Sequence, residues 1–119
     1  MNRLGPEFQV LDDDGHHNGR NPYTSAGAMY LIAKPNDQKI SKPIGEFNKA
    51  RIVAKSNHIE HWLNGVKVLK MEVGSEAWNE QQAKAKFKQA DGFGKGAGNL
   101  LLQDHGNQVW YKNIRIKSI

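Results

Sequence analysis

Asn64-Gly65 lies between two runs of strand-forming residues, His58-Ile59-Glu60-His61-Trp62-Leu63 and Val66-Lys67-Val68-Leu69-Lys70-Met71-Glu72-Val73. A two-residue type I′ turn needs positive φ at both central positions, and Asn followed by Gly meets that need best, so the dipeptide predicts a β-hairpin. Upstream, Arg51-Ile52-Val53-Ala54-Lys55 and the turn Ser56-Asn57 add a third strand, and the region reads as an antiparallel meander. No series of strands alternating with crossover helices occurs in the 119 residues, which argues against a parallel α/β design and for an all-β antiparallel sandwich.

The rest of the chain extends this pattern. Phe8 to Leu11 reads as a short strand entering the polar loop that starts at Asp12, and Ala26 to Ala33 as a buried strand ended by the turn Lys34-Pro35-Asn36-Asp37. Ser75 is placed to cap a helix over 76–89, read as a surface insertion. The glycine-rich run 91–98 reads as a plain connector, Leu100 to Gln103 as a strand, Asp104 to Asn107 as a turn and Val109 to Ile116 as the closing strand.

Composition narrows the chemistry. With no cysteine, thiolate zinc sites, disulfides and cysteine nucleophiles are excluded, while cytosol and periplasm both stay open. A formal charge of +5 favours anionic partners weakly. The basic residues form no single stripe and no recognition module is present, which ranks nucleic acid last. The N-terminus shows no signal-peptide core, and the longest apolar stretch, Ala26 to Ala33, is far short of a bilayer span.

Several motifs fail on inspection. Asp12-Asp13-Asp14-Gly15-His16-His17 groups metal-ligand types, but a calcium loop counted from Asp12 would need Gly at His17 and Glu at Tyr23. His58-Ile59-Glu60-His61 contains H-x-E without the cysteine pair of a zinc deaminase, and on a strand its two imidazoles face opposite ways. The run Gly92 to Gly98 precedes a strand rather than a helix, so it is no phosphate cradle. One constellation survives: Glu7 and Gln9 on one face of the first strand, Gln103 and His105 at a strand end, and Lys112 beside Trp110 on the closing strand. Acid, base, amide and aromatic groups on one polar sheet face suit a sugar, whose hydroxyls need hydrogen bonds and whose C–H face needs a ring.

Gly5-Pro6-Glu7-Phe8-Gln9-Val10-Leu11-Asp12-Asp13, Ala26-Gly27-Ala28-Met29-Tyr30, His61-Trp62-Leu63-Asn64-Gly65, Leu102-Gln103-Asp104-His105-Gly106 and Val109-Trp110-Tyr111-Lys112-Asn113-Ile114-Arg115-Ile116-Lys117 resemble, in that order, the 3-keto-disaccharide hydrolase family. The resemblance implies a concanavalin A-like jelly roll that cleaves the glycosidic bond of 3-keto sugars, in proteins often secreted or periplasmic. It makes Glu7 and His105 the catalytic candidates and Gln9, Tyr30, Gln103, Trp110 and Lys112 the substrate-binding set. Asp12 is the candidate ligand for a divalent cation. Two departures stand out. Lys112 takes a place where the family usually has Arg, whose planar fork Lys cannot reproduce. The family domain also starts several strands earlier, so this chain resembles the second part of a jelly roll, incomplete at its N-terminus and with one inserted helix. Missing strands expose sheet edge and core, which predicts a homodimer completing the sandwich. The alternative is a homo-oligomeric binding protein for carbohydrate or another small molecule that has lost the reaction.

Overall fold

The computed structural model describes residues 5–86 and 92–119. The meander forms as its turns dictate: β1 (Ala50–Lys55), β2 (His58–Leu63) and β3 (Val66–Glu72) make an antiparallel sheet in the order β1-β2-β3. Asn64 and Gly65 take φ of 50° and 81° and let Leu63 pair with Val66 directly across the turn. Further along, His61 pairs with Leu69 and Trp62 with Lys67, so β3 carries Val68 as one extra residue. Asn36 plugs this bulge: its backbone N–H donates to the Val68 carbonyl at 2.7 Å and its side-chain amide to the Lys67 carbonyl at 3.0 Å. Both Val68 and Leu69 are thereby buried.

The sheet covers its core with one face only. Ile59, His61 and Leu63 of β2 point inward, and the apolar side chains fall into two clusters. The larger gathers Met29, Ile32, Ala33, Leu69, Val73, Trp78 and Phe93, with Ile59 and Met71 against it. The smaller joins Ala26, Leu63 and Val68 to Phe8, Leu11 and Val66. Each fully buried side chain of this size contributes about 1.5–3 kcal/mol.

Ala26–Ala33 is buried as expected, yet it is not a strand. Gly27 (φ 80°) and Leu31 (φ 63°) turn the backbone left-handed, and the segment folds back on itself. Met29 N–H donates to Ala33 O at 3.0 Å and Ala33 N–H to Met29 O at 2.9 Å. A Cβ on Gly27 would come within 3.4 Å of Val68 and 3.6 Å of Leu63, so the same residue serves the turn and the close approach to β3. The expected first strand is reduced to a bridge between Phe8 and Met29, flanked by bonds of Gln9 N–H to Ala28 O at 3.0 Å and Tyr30 N–H to Glu7 O at 3.1 Å.

The helix α1 (Glu76–Lys84) starts at the expected cap, where Ser75 Oγ accepts the Trp78 N–H. It ends at Lys84 because Ala85 is extended (ψ 170°); residues 87–89 of the expected helix lie outside the described residues. Nor is it a surface insertion. Trp78 is fully buried, its indole N–H donates to Gln82 at 3.1 Å, and its ring stacks on Phe93 at 5.2 Å. Phe93 comes from the glycine-rich run, which is therefore more than a connector.

The largest departure concerns the C-terminal segment. Residues 99–119 are exposed throughout and form neither of the two expected strands. Among the described residues, their backbone enters no ladder hydrogen bond. Strand-forming residues qualify the segment for a strand, but a strand needs an edge to pair with. The described residues thus form a three-strand sheet and one helix, without the second stacked sheet of a jelly roll. Replacing Trp78 with Ala should lower unfolding stability by about 3–5 kcal/mol, read as a shifted urea midpoint with little change in slope.

Candidate functional site

The polar residues expected to share one face come from two stretches of chain, 7–30 and 103–112. Glu7 and Gln9 flank Phe8, and backbone bonds set them beside Tyr30 and Ala28. Gln9 is already engaged, its side-chain amide donating to the Thr24 carbonyl at 2.9 Å. Tyr30 is half-buried against the larger cluster, with Lys86 Nζ 4.9 Å over its ring. The Glu7 side chain is half-buried and accepts no hydrogen bond or ion pair among the described residues. Gln103, His105, Trp110 and Lys112 lie on the exposed C-terminal segment. Trp110 is 67% exposed, and Lys112 Nζ sits 4.2 Å over the Phe47 ring. Asp104, next to His105, accepts the Gly106 N–H at 2.8 Å. No hydrogen bond or ion pair joins this segment to Glu7 or Gln9 among the described residues.

The acidic loop is structural. Asp12 Oδ1 accepts the Asp14 N–H at 3.2 Å, closing an Asx turn. Asp13 is spent on both oxygens: Oδ1 accepts the Ala26 N–H at 2.7 Å and Oδ2 pairs with Lys39 Nζ at 2.7 Å. Lys39 also donates to Ser25 Oγ at 3.0 Å and to the Ala26 carbonyl at 3.1 Å. His16 Nδ1 accepts the Asn18 N–H. These bonds use the donor atoms for folding the loop against the 24–33 turn, and no group of three or more His, Asp or Glu able to hold an ion occurs among the described residues. The residues do not fit the divalent cation expected at Asp12.

The two histidines of β2 divide as strand alternation requires. His61 faces inward, 1% exposed, donating from Nδ1 to the Gly27 carbonyl at 3.0 Å, with Phe8 4.6 Å from its ring centre. Burial holds its pKa down at about 4. His58 faces outward between Glu60 and Glu72, and its hydrogen bonds to those carboxylates raise its pKa. Glu60 is the hub of that face: Oε2 meets His58 Nε2 at 2.9 Å, and Oε1 accepts the Trp62 indole N–H at 2.8 Å. Those bonds lower the Glu60 pKa. Trp62 in turn lies between its two cross-strand neighbours, with Arg51 5.5 Å and Lys67 5.8 Å from the ring centre. Motif reading missed this row because its members come from three strands; only their pairing register brings them together.

Comparison with known proteins identifies the class. The chain matches the 3-keto-alpha-glucoside-1,2-lyase-like domain over residues 2–117 and belongs to that family. It is 31% identical over 126 aligned positions to a 3-keto-disaccharide hydrolase of Bacteroides thetaiotaomicron, covering 94% of this chain and 43% of the relative. A crystal structure from Parabacteroides distasonis, provisionally assigned as a glycosyl hydrolase, superposes with a TM-score of 0.63 at 30% identity. That match covers 75% of this chain and 43% of the other. The chain thus spans less than half the length of either protein. No helix among the described residues is long and apolar enough to cross a membrane.

The two histidines make opposite contributions to acid stability. Below the ordinary value of 6.5 the unfolded chain binds a proton at position 61 that the folded chain refuses, so stability falls as pH drops from 6.5 toward about 4. The loss amounts to about 3 kcal/mol at most. His58, raised and solvent-exposed, stabilises below 6.5 and loses that contribution as pH rises through its folded value; solvent screens it, so the buried residue dominates. The urea midpoint should be lower at pH 5 than at pH 7.5. His61→Asn, which keeps an N–H for the Gly27 carbonyl but does not titrate, should flatten that dependence; an unchanged dependence would remove His61 as its source.

Proposed function

We propose that the chain is a carbohydrate-active domain that opens the glycosidic bond of 3-keto sugars, with the Glu7 carboxylate as the base. The reading is carried by Glu7, half-buried within a family segment, whose carboxylate takes no hydrogen bond or ion pair among the described residues. Asp12, Asp13 and Glu60 are each committed to structural bonds. A ketone at C3 acidifies the C2 proton, so a base at C2 forms an enolate whose electrons expel the anomeric oxygen. The leaving oxygen takes a proton, for which His105 is the candidate donor. Water then adds at C1 while C2 regains its proton, giving net hydrolysis with one water consumed. Gln9, Tyr30, Gln103, Trp110 and Lys112 are the proposed sugar contacts.

The site is further read as assembled in a homodimer whose second copy pairs with residues 100–116 and extends the sheet. Surface area supports this. A compact monomer of 13.4 kDa exposes roughly 6,500 Å², whereas this chain exposes 9096 Å². The excess of about 2,600 Å² is on the scale that obligate interfaces hide. Leu101 (80%), Ile114 (57%) and Ile116 (82%) contribute to it, as does Ile52 (48%) on the inward side of β1. In this arrangement Gln103 and His105 line the sugar site with Glu7.

The second reading, a homo-oligomeric binding protein without the reaction, is favoured by the lack, among the described residues, of any bond joining Gln103 and His105 to Glu7. Turnover decides between them. Glu7→Gln should lower release of the aglycone from a 3-keto glucoside by about a hundredfold or more. Full activity in that variant would remove Glu7 as the base, and no activity in the unaltered protein at any concentration would favour the binding reading.

A further inference from the structure

We propose that the outward face of the sheet carries a second saccharide site, built on Lys49, Arg51 and Trp62, that takes an acidic sugar, its carboxylate or sulfate seated between the two cations. The register places Arg51, Trp62 and Lys67 in one row across β1, β2 and β3. At the turn end of that row a hollow of about 130 Å³ opens between Lys49, Arg51, Trp62 and Gly65. Gly65 leaves it open, having no side chain at the tip of the hairpin.

The walls are held in place before any ligand arrives. The Trp62 indole is fixed by its N–H bond to Glu60, which is itself fixed by His58. Arg51 and Lys67 rest near the ring at cation–π distance. Lys49 is clamped by Asn64 in both directions: its N–H donates to Asn64 Oδ1 at 2.8 Å and its carbonyl accepts the Asn64 N–H at 2.8 Å. Asn64 is tied in turn to the Ile40 carbonyl and to Asn48, each at 2.8 Å. A site whose elements are already ordered loses less entropy on binding.

The chemistry of the hollow selects the ligand. Lys49 and Arg51 donate hydrogen bonds and accept none. The Glu60 carboxylate, bonded to the Trp62 indole, already serves His58 as well and lies 3.9 Å from Lys67. A neutral sugar hydroxyl, which both donates and accepts, finds few acceptors there. A carboxylate or sulfate, which only accepts, finds a guanidinium fork and an ammonium. A nucleotide base would have to displace a cation from the indole to stack on it, whereas an acidic pyranose needs the cations and the apolar edge of the ring. The choice of a saccharide over nucleic acid rests on the carbohydrate reading above; the preference for an anion rests on the hollow itself.

The test is calorimetric titration of the full chain with trigalacturonate, maltotriose and an oligothymidylate, alongside the NMR shift of the Trp62 indole N–H. Trigalacturonate should bind, move that resonance and weaken with added salt. Arg51→Gln and Lys49→Gln, both at exposed positions, should each weaken it by about tenfold. Equal or tighter binding of maltotriose overturns the proposal, as does tighter binding of oligothymidylate, an unmoved indole resonance or unaltered affinity in both variants. Binding here is read apart from turnover, so loss of 3-keto glucoside cleavage leaves this site standing and absence of trigalacturonate binding leaves the Glu7 reaction standing.

Discussion

The hydrogen bond from the buried His61 imidazole to the Gly27 carbonyl joins the two halves of the molecule. The sheet alone is a meander with one apolar face, and a three-strand sheet is stable only when that face is covered. The cover is the folded-back 24–33 segment, which brings Ala26, Met29 and Ile32 under β2 and β3. His61 ties that segment at Gly27, Asn36 ties its exit to the β3 bulge, and the Asp13–Lys39 pair ties its entrance. Glu7 and Gln9 owe their positions to the same segment, because their backbone bonds run to Ala28 and Tyr30. Local turn chemistry, packing and the placement of the candidate base are therefore one connected arrangement.

Cover is unequal across the sheet. β2 and β3 bury their inward residues, but Ile52 of β1, opposite His61, stays 48% exposed. The outer edge of β1 is unpaired among the described residues, and the C-terminal segment presents apolar side chains without a ladder. An unpaired edge and an unpaired strand-forming segment in one chain are complementary deficits. The proposed homodimer meets both. It leaves the outward face of the sheet, with the Trp62 row, free for the second saccharide site.

Where local chemistry decides structure, the sequence was a sufficient guide. The Asn64-Gly65 turn, the three strands of the meander and the Ser75 cap stand where turn and capping preferences put them. Family membership was legible too, because Gly5 to Asp13, His61 to Gly65 and Leu102 to Gly106 keep recognisable short patterns. The misreadings share a cause. Ala26–Ala33 has the composition of a buried strand, and the left-handed backbone at Gly27 and at Leu31, a residue that seldom adopts it, turns the run back. Trp78 sits on a helix whose other residues look solvent-facing, and it is buried with Phe93, fifteen positions away at the start of the glycine-rich run, and with Met29, Ile32 and Val73. Leu100–Gln103 and Val109–Ile116 have strand-forming composition, but composition reports what a segment is able to pair with, not whether an edge is present. Asp12 and Asp13 look like ligands because nothing in the sequence shows that backbone amides and Lys39 already occupy them.

The central claim is that the C-terminal segment becomes sheet only when a second copy supplies an edge, and that the sugar site around Glu7 is completed by the same event. Amide hydrogen exchange at residues 109–116, followed across protein concentration, tests it most directly. Protection that grows with concentration, together with protection in β1, is the expected result. Exchange at unprotected rates in both segments at every concentration, in a chain that otherwise keeps β2 and β3 protected, would contradict the account.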